Sequence, residues 1–231
     1  MSDAKITYLN TGIYTVAEAS KLTRVSKDRI RRWLRGYRSA IRKKDYSPLW
    51  QHQLPPLENK LALGFLDLIE IKFVDAFLNK GVSWAMIHKV REKAKEHYPD
   101  ISHPFCTKKF VTDGRQIFID LHKETGEASL LEIASDQHVF AELIRPFLKQ
   151  LEFKDGTDLQ RWWPLGTDHQ VVVDPKKNFG QPTIFKEGIP TQVLARSVKA
   201  NGSVEEVARW YEISSESVRE AVDYEQKLLA A

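Results

Sequence analysis

The 231-residue sequence predicts an α+β protein: an N-terminal winged helix-turn-helix, a mixed middle region with a small antiparallel sheet, and a C-terminal helix-turn-helix. Three observations carry this. Near each end, apolar residues recur at helical spacing behind a Ser or Thr cap and across a tight turn. Between the ends the spacing changes to two, the period of a strand. Charge is also divided: residues 14–44 hold eleven Lys/Arg against Glu18 and Asp28, a net +9, whereas residues 203–231 hold three against seven acids, a net −4. The expected divisions are residues 1–100, 101–165 and 166–231.

A chain that is 42% hydrophobic and 29% charged, with no low-complexity tract, can bury a core. No run of about 18 apolar residues and no basic-then-apolar leader occurs, so a cytoplasmic protein without a membrane span is expected. The single Cys106 suits a reducing compartment.

Thr15 and Glu18 form a capping box, so a short helix should start at Val16, burying Val16, Ala19 and Leu22. Ser26 caps a second helix that runs to Arg35 and stops at Gly36. On a helical wheel with Arg29 at zero, Ile30, Trp33 and Leu34 fall between about 40° and 140°, and Arg31, Arg32 and Arg35 between about 200° and 300°. The apolar side holds the helix to its domain. The other side is either a solvated basic face or a row of guanidinium groups aimed at phosphates and guanine edges. The two-helix spacing and the scarcity of compensating acids favour the second. "RSAIRKKDYSPLWQHQLPP" then fits a wing, a short basic strand with a proline-containing return. Candidate DNA-binding residues are Ser26, Lys27, Arg29, Arg31, Arg32, Arg35, Arg38, Arg42, Lys43 and Lys44.

The stretch "YTVAEASKLTRVSKDRIRRWLRGY" resembles the winged helix-turn-helix of MerR-like DNA-binding domains. Where that family often has Gly before the hydrophobic residue of the turn, this chain has Arg24, a costly choice if the position needs positive φ.

Phe65, Ile69, Phe73 and Phe77 recur every four residues, predicting an apolar helix that ends at Gly81; Ser83 caps another that stops by Pro99. Both are expected to be core or dimer interface. Beyond Pro104, "FCTKKFVT", "DG" and "RQIFIDL" read as a hairpin and "EASLLEI" as a third strand. A helix is expected from Asp136 to Leu143 or Ile144, stopping near Pro146, with strand-like "LEF" and "RWWPL" after it. On a strand Trp162 and Trp163 face opposite ways, leaving one inward and the other either half-buried or exposed as an anchor.

No HExxH, GxSxG, GxGxxG or P-loop occurs, and His97, His103 and Cys106 match no zinc spacing. No enzyme, metal or cofactor is expected.

Set without a gap against residues 15–31, "SVEEVARWYEISSESVR" reproduces the caps and core positions, with Val204 on Val16, Ile213 on Val25, Ser214 on Ser26 and Val218 on Ile30. Its second helix replaces Arg29, Arg32 and Arg35 with Ser217, Glu220 and Asp223. A phosphate backbone repels such a face, which favours a protein partner over DNA. Candidate protein-binding residues are Trp210, Tyr211, Glu216 and Glu220. Trp210 aligns with the core position Leu22, so it is either an anchor or simply buried.

With the preceding "VVVDPKKNFGQPTIFKEGIPT", this end resembles a small prokaryotic domain family found in antitoxins. Lys186, Glu187 and Gly188 stand where that family carries a Gly-Thr pair. Joined to a MerR-like head, the architecture is similar to the larger VapB-class antitoxins. The resemblance implies two partners, operator DNA and a PIN-domain ribonuclease toxin, the latter bound by Trp210, Tyr211, Glu216 and Glu220. The competing reading is a MerR-like ligand-responsive transcription regulator. A single head reads only a few base pairs, so a homodimer is expected, through the helices around residues 65–77 and 84–90 or the last helix.

Overall fold

The computed structural model describes residues 8–39, 44–126, 137–154 and 158–230. It is α+β: helices carry most of the core, and the strands form separate two-stranded antiparallel pairs. The N-terminal helix-turn-helix unit, the head, opens with β1 (Tyr14–Thr15), α1 (Val16–Thr23) and α2 (Lys27–Arg35). Both halves of the Thr15/Glu18 capping box form, and Ser26 Oγ accepts from the Arg29 N–H. The wing is β2 (Tyr37–Ser39) paired with β3 (Lys44–Tyr46), with Tyr37 stacked on Tyr46 at 4.9 Å. Its tip, with Arg42 and Lys43, lies outside the described residues. A further strand, β4 (Ala62–Leu63), returns to pair with β1.

Helices α3 (Phe65–Asn79) and α4 (Trp84–His97) follow as the periodicity predicts. Phe65, Ile69, Phe73 and Phe77 are all buried within the chain. Trp84 is half-buried and stacks on Trp33 at 5.9 Å. Most of these apolar side chains are engaged in the core, while Leu66, Ala76, Leu78 and Trp84 are only partly covered.

The expected hairpin after Pro104 is instead one helix, α5 (Lys108–Thr125), preceded by a 3-10 turn at Pro104–Cys106. Phe110, Ile117, Phe118 and Leu121 sit at helical spacing and are all buried. Thr107 caps the start and Gly126, at φ 69°, closes the end. Gly114, read from sequence as a hairpin turn, lies mid-helix because the Phe110 ring occupies its flank: a Cβ there would lie 3.2 Å from that ring. The proposed strand "EASLLEI" and the expected cap Asp136 lie outside the described residues.

Helix α6 (Gln137–Gln150) runs through Pro146 rather than stopping there. An interior proline costs about 3 kcal/mol. Here Ile144 and Phe147 flank it in the core, and Phe147 stacks on Phe73 at 3.7 Å, burial that offsets the loss. Strands β5 (Leu151–Lys154) and β6 (Asp158–Trp162) pair across a bulge at Glu152/Phe153. Both tryptophans are buried, Trp163 as well as Trp162, because the Trp163 indole N–H reaches the Glu152 carboxylate at 2.9 Å.

The C-terminal unit contains β7 (Val171–Val172), β8 (Thr183–Ile184), α7 (Thr191–Asn201), α8 (Val204–Tyr211) and α9 (Ser215–Leu229). Val171, Ile184, Leu194, Val207, Val218, Ala221 and Tyr224 form its own buried cluster. The turn after β8 closes through Gly188 at φ 72°, whose N–H donates to Ile184 O at 2.8 Å.

Candidate functional site

Helix α2 divides as the wheel predicts. Ile30, Trp33 and Leu34 are buried, while Lys27, Arg31, Arg32 and Arg35 are exposed. Arg29 is different: it pairs with Asp75 on α3 at 2.8 Å, and its guanidinium lies 5.0 Å from the Trp33 ring centre. It therefore pins α2 to the helices behind it. Arg31 pairs with Asp28 at 3.1 Å on the surface, a contact worth at most about 1 kcal/mol, so a phosphate can displace the carboxylate. The Arg32 guanidinium sits 5.9 Å above Tyr37 of the wing. Arg38 projects from the same hairpin beside Asp45, at 3.7 Å. Ser26 uses its hydroxyl as the cap. Lys44 belongs to β3, opposite Ser39. The structure thus brings the exposed residues of α2 and the base of the wing to one side of the head.

The second helix-turn-helix repeats the backbone of the first. Ser203 Oγ accepts from the Glu206 N–H, and Ser214 Oγ from the Ser217 N–H. The turn residue is left-handed in both: Arg24 at φ 62° and Glu212 at φ 55°. The side-chain surface differs from the sequence reading. Trp210 is 61% exposed, whereas its counterpart Leu22 is half-buried against the core; Tyr211 is half-buried and its hydroxyl meets Ser197 Oγ at 3.2 Å. Glu216 is exposed. Glu220 is corrected from surface contact to internal brace: its Oε1 accepts the backbone N–H groups of Gln170 at 2.7 Å and Val171 at 3.2 Å, fixing the start of β7. Glu205 is taken by Arg219 at 2.7 Å, and Glu225 accepts from the Thr191 hydroxyl. Within residues 203–230, the exposed acids with no side-chain ion pair are Glu212, Glu216 and Asp223.

A buried polar centre behind the head was not legible in the sequence. Asp67 accepts from the Trp50 indole at 2.8 Å, from the Gln53 and Gly64 N–H groups at 2.9 and 2.8 Å, and meets His103 Nε2 at 3.1 Å. His103 Nδ1 meets Ser102 Oγ at 2.8 Å. The line Ser102–His103–Asp67 has the connectivity of nucleophile, base and orienting acid, but the imidazole is 3% exposed and the acid already ties together three chain segments. Its work is structural. Glu70, held beside Arg91 at 3.9 Å, has its carboxyl raised above the usual range by burial. Burial likewise pushes the Cys106 thiol up, leaving it unreactive. His97 bonds to Lys93 O at 2.9 Å, so His97, His103 and Cys106 point to separate partners.

The geometry defines a class: a winged helix-turn-helix head with an outward basic helix, joined to a second helix-turn-helix whose recognition-like helix is acidic or braced. Comparison with known proteins gives three likenesses. A family described as "Protein of unknown function (DUF433)" matches residues 171–224. A Mycobacterium tuberculosis protein described as "Putative antitoxin VapB45" is 26% identical over 228 residues, covering 91% of this chain and 92% of its own. The crystal structure of Rv2018 from Mycobacterium tuberculosis covers 93% of this chain and 99% of its own, with a TM-score of 0.70 at 22% identity, a likeness of fold. Among the described residues no helix is long and apolar enough to cross a membrane.

Proposed function

We propose that this chain is an antitoxin of a type II toxin-antitoxin system, which binds and neutralises a PIN-domain ribonuclease and, as a homodimer, represses its own operon. The observation that carries the reading is the outward guanidinium face of α2 beside a basic wing, in a chain similar over nine-tenths of its length to a protein bearing an antitoxin name. Helix α2 enters the major groove with Arg31, Arg32 and Arg35 toward base edges and phosphates, and Lys27 near its N-terminus. The wing, with Arg38, Arg42, Lys43 and Lys44, follows the backbone. The chain acts by binding, not by catalysis.

The C-terminal unit holds the toxin. Trp210 supplies an exposed aromatic anchor, and Glu212, Glu216 and Asp223 an acidic rim that steers a basic, RNA-binding nuclease surface toward it. The test measures operator affinity and nuclease inhibition in the same full-length variants. Arg31→Ala/Arg32→Ala/Arg35→Ala loses operator binding, by about 1–3 kcal/mol for each arginine that reads a base, and still inhibits the nuclease. Trp210→Ala/Glu216→Lys binds the operator normally and inhibits the nuclease poorly. Unchanged operator affinity in the first variant, or full inhibition by the second, overturns the corresponding assignment. Light scattering at micromolar concentration is expected to report a dimer.

A further inference from the structure

The turn of the head, the middle sheet and the last helix meet around a cavity of about 270 Å³. This is the volume of about nine water molecules at ~30 Å³ each, room for a compound of several heavy atoms. Two polar side chains form its wall. Lys72 of α3 is half-buried, its Nζ lying 4.9 Å from the centre of the Trp162 ring, and no carboxylate reaches it within ion-pair distance among the described residues. The acid whose field it feels, Asp75, is already bound by Arg29 at 2.8 Å. Tyr224 of α9 is 3% exposed, and its hydroxyl has no hydrogen-bond partner among the described residues. Arg24, from the left-handed turn between α1 and α2, and Lys227 complete a lining that contains three cations and no Asp or Glu.

A protein gains little by drawing an ammonium group in from water with no counter-ion, burying a phenol with no acceptor, and setting two further cations around them. The cost is visible in Lys72, whose pKa is pulled down from 10.5 to about 8 chiefly by burial, with the Arg24 charge adding to it. Each of these features becomes favourable once a negative group enters. The ammonium regains a counter-ion, the phenol finds an acceptor, and the rim cations close over it.

We propose that this cavity binds a small organic anion, a carboxylate or a phosphate monoester, with Lys72 as its counter-ion, Tyr224 as hydroxyl donor, and Arg24 and Lys227 as the cations at its mouth. The site touches the N-terminal and C-terminal units together, so an occupant ties the turn between α1 and α2 to the last helix. This is independent of the antitoxin reading, since it requires neither DNA nor a nuclease.

The test uses the full chain, free of DNA and toxin, at constant ionic strength. Inorganic phosphate and glycerol phosphate form one arm, acetate and malonate another, and glycerol is the neutral control. Trace acetylation with acetic anhydride, followed by mass spectrometry, reads the reactivity of Lys72, and calorimetry reads affinity. At least one anion arm is expected to protect Lys72 saturably while leaving surface lysines such as Lys109 unchanged. Lys72→Met should weaken that binding by about 10- to 100-fold, the size of a lost hydrogen bond to a charged group, and Tyr224→Phe by about tenfold. The arm that protects identifies the head group. Failure of both arms to protect Lys72, or protection equal to that by glycerol, overturns the site, as does undiminished binding by a folded Lys72→Met variant. Should Lys72→Met not fold, protection in the native chain and the Tyr224→Phe affinity decide the matter.

Discussion

Two cations on neighbouring elements show how surroundings decide what a charged residue does. Arg29 finds Asp75 at 2.8 Å and becomes part of the scaffold; Lys72, one helical turn from Asp75, finds only an aromatic ring. The consequence for stability has a definite sign. Lys72 holds its proton with a pKa of about 8 in the native protein against the ordinary 10.5 of a solvated lysine, so between those values the unfolded chain binds a proton that the native chain has lost. Stability therefore rises as pH climbs from about 8 toward 10.5, and the penalty is fully present below 8. Lys72→Met removes it. The variant is expected to be more stable than the native chain at pH 7, by on the order of 2–3 kcal/mol at most, with the gap closing by pH 10.5. Urea unfolding of both proteins at the two pH values checks this, and a gap that does not change with pH contradicts it. At this scale the sequence made Ile30, Trp33, Leu34 and the outward arginines legible, because period alone sorts them. It could not reveal Arg29–Asp75 or Glu220 with Gln170, because those partners lie 46 and 50 residues away and only the fold brings them together.

Elements were legible where a cap and a period agreed. Both helix-turn-helix units, α3, α4 and the wing pairing follow from local signals, down to Ser26 and Ser214 as caps. Helix α5 replaces the expected hairpin because the Asp113–Gly114 turn signal is outweighed by an apolar set at Phe110, Ile117, Phe118 and Leu121, which fits a helix and not a strand. Tertiary burial settled it, as it did for Pro146 in α6. The turns of the two helix-turn-helix units carry a cost: each places a side-chain-bearing residue in the left-handed region, Arg24 at φ 62° and Glu212 at φ 55°. Such a residue is strained relative to glycine. Arg24 faces the cavity and has a use there; Glu212 is exposed and makes no such contact. Glu212→Gly is therefore expected to stabilise the chain by roughly 0.5–1 kcal/mol, the relieved strain being partly offset by the greater freedom of glycine when unfolded. A higher urea midpoint at unchanged slope is the expected result; a lower midpoint shows that the Glu212 side chain contributes more than its backbone costs.

The whole molecule joins two buried clusters through a narrow set of contacts. Trp162 and Val173 exchange backbone hydrogen bonds at 3.0 and 2.8 Å, Arg161 spans from Glu152 to Asp174, and the Ile13 N–H donates to Phe179 O at 3.0 Å. At the centre of the joint the Tyr14 hydroxyl, buried and held protonated by burial, donates to Gly180 O at 2.7 Å. Tyr14 is a member of the head's core, so this one bond runs from the base of α1 directly into the C-terminal unit. It forms only because residue 180 has no side chain. A Cβ at Gly180 would lie 2.0 Å from the Tyr14 oxygen, and its φ of 82° is unfavourable for any other residue. Because the clash involves a buried ring and a strained backbone together, small adjustments cannot relieve it. Gly180→Ala is therefore expected to part the two units while leaving each core intact. The native chain should unfold in a single transition, with intrinsic fluorescence and far-ultraviolet circular dichroism coincident. The variant should show two transitions and faster proteolysis between residues 165 and 170. Tyr14→Phe supplies the control: it removes the bond but not the packing, and should cost about 1–3 kcal/mol, the penalty of leaving a buried carbonyl unsatisfied, without splitting the transition. If Gly180→Ala still melts in one step at the native midpoint, the joint does not depend on this contact, and the N-terminal and C-terminal units are held together by the remaining ones, the Trp162–Val173 bridge, Arg161 and Ile13–Phe179.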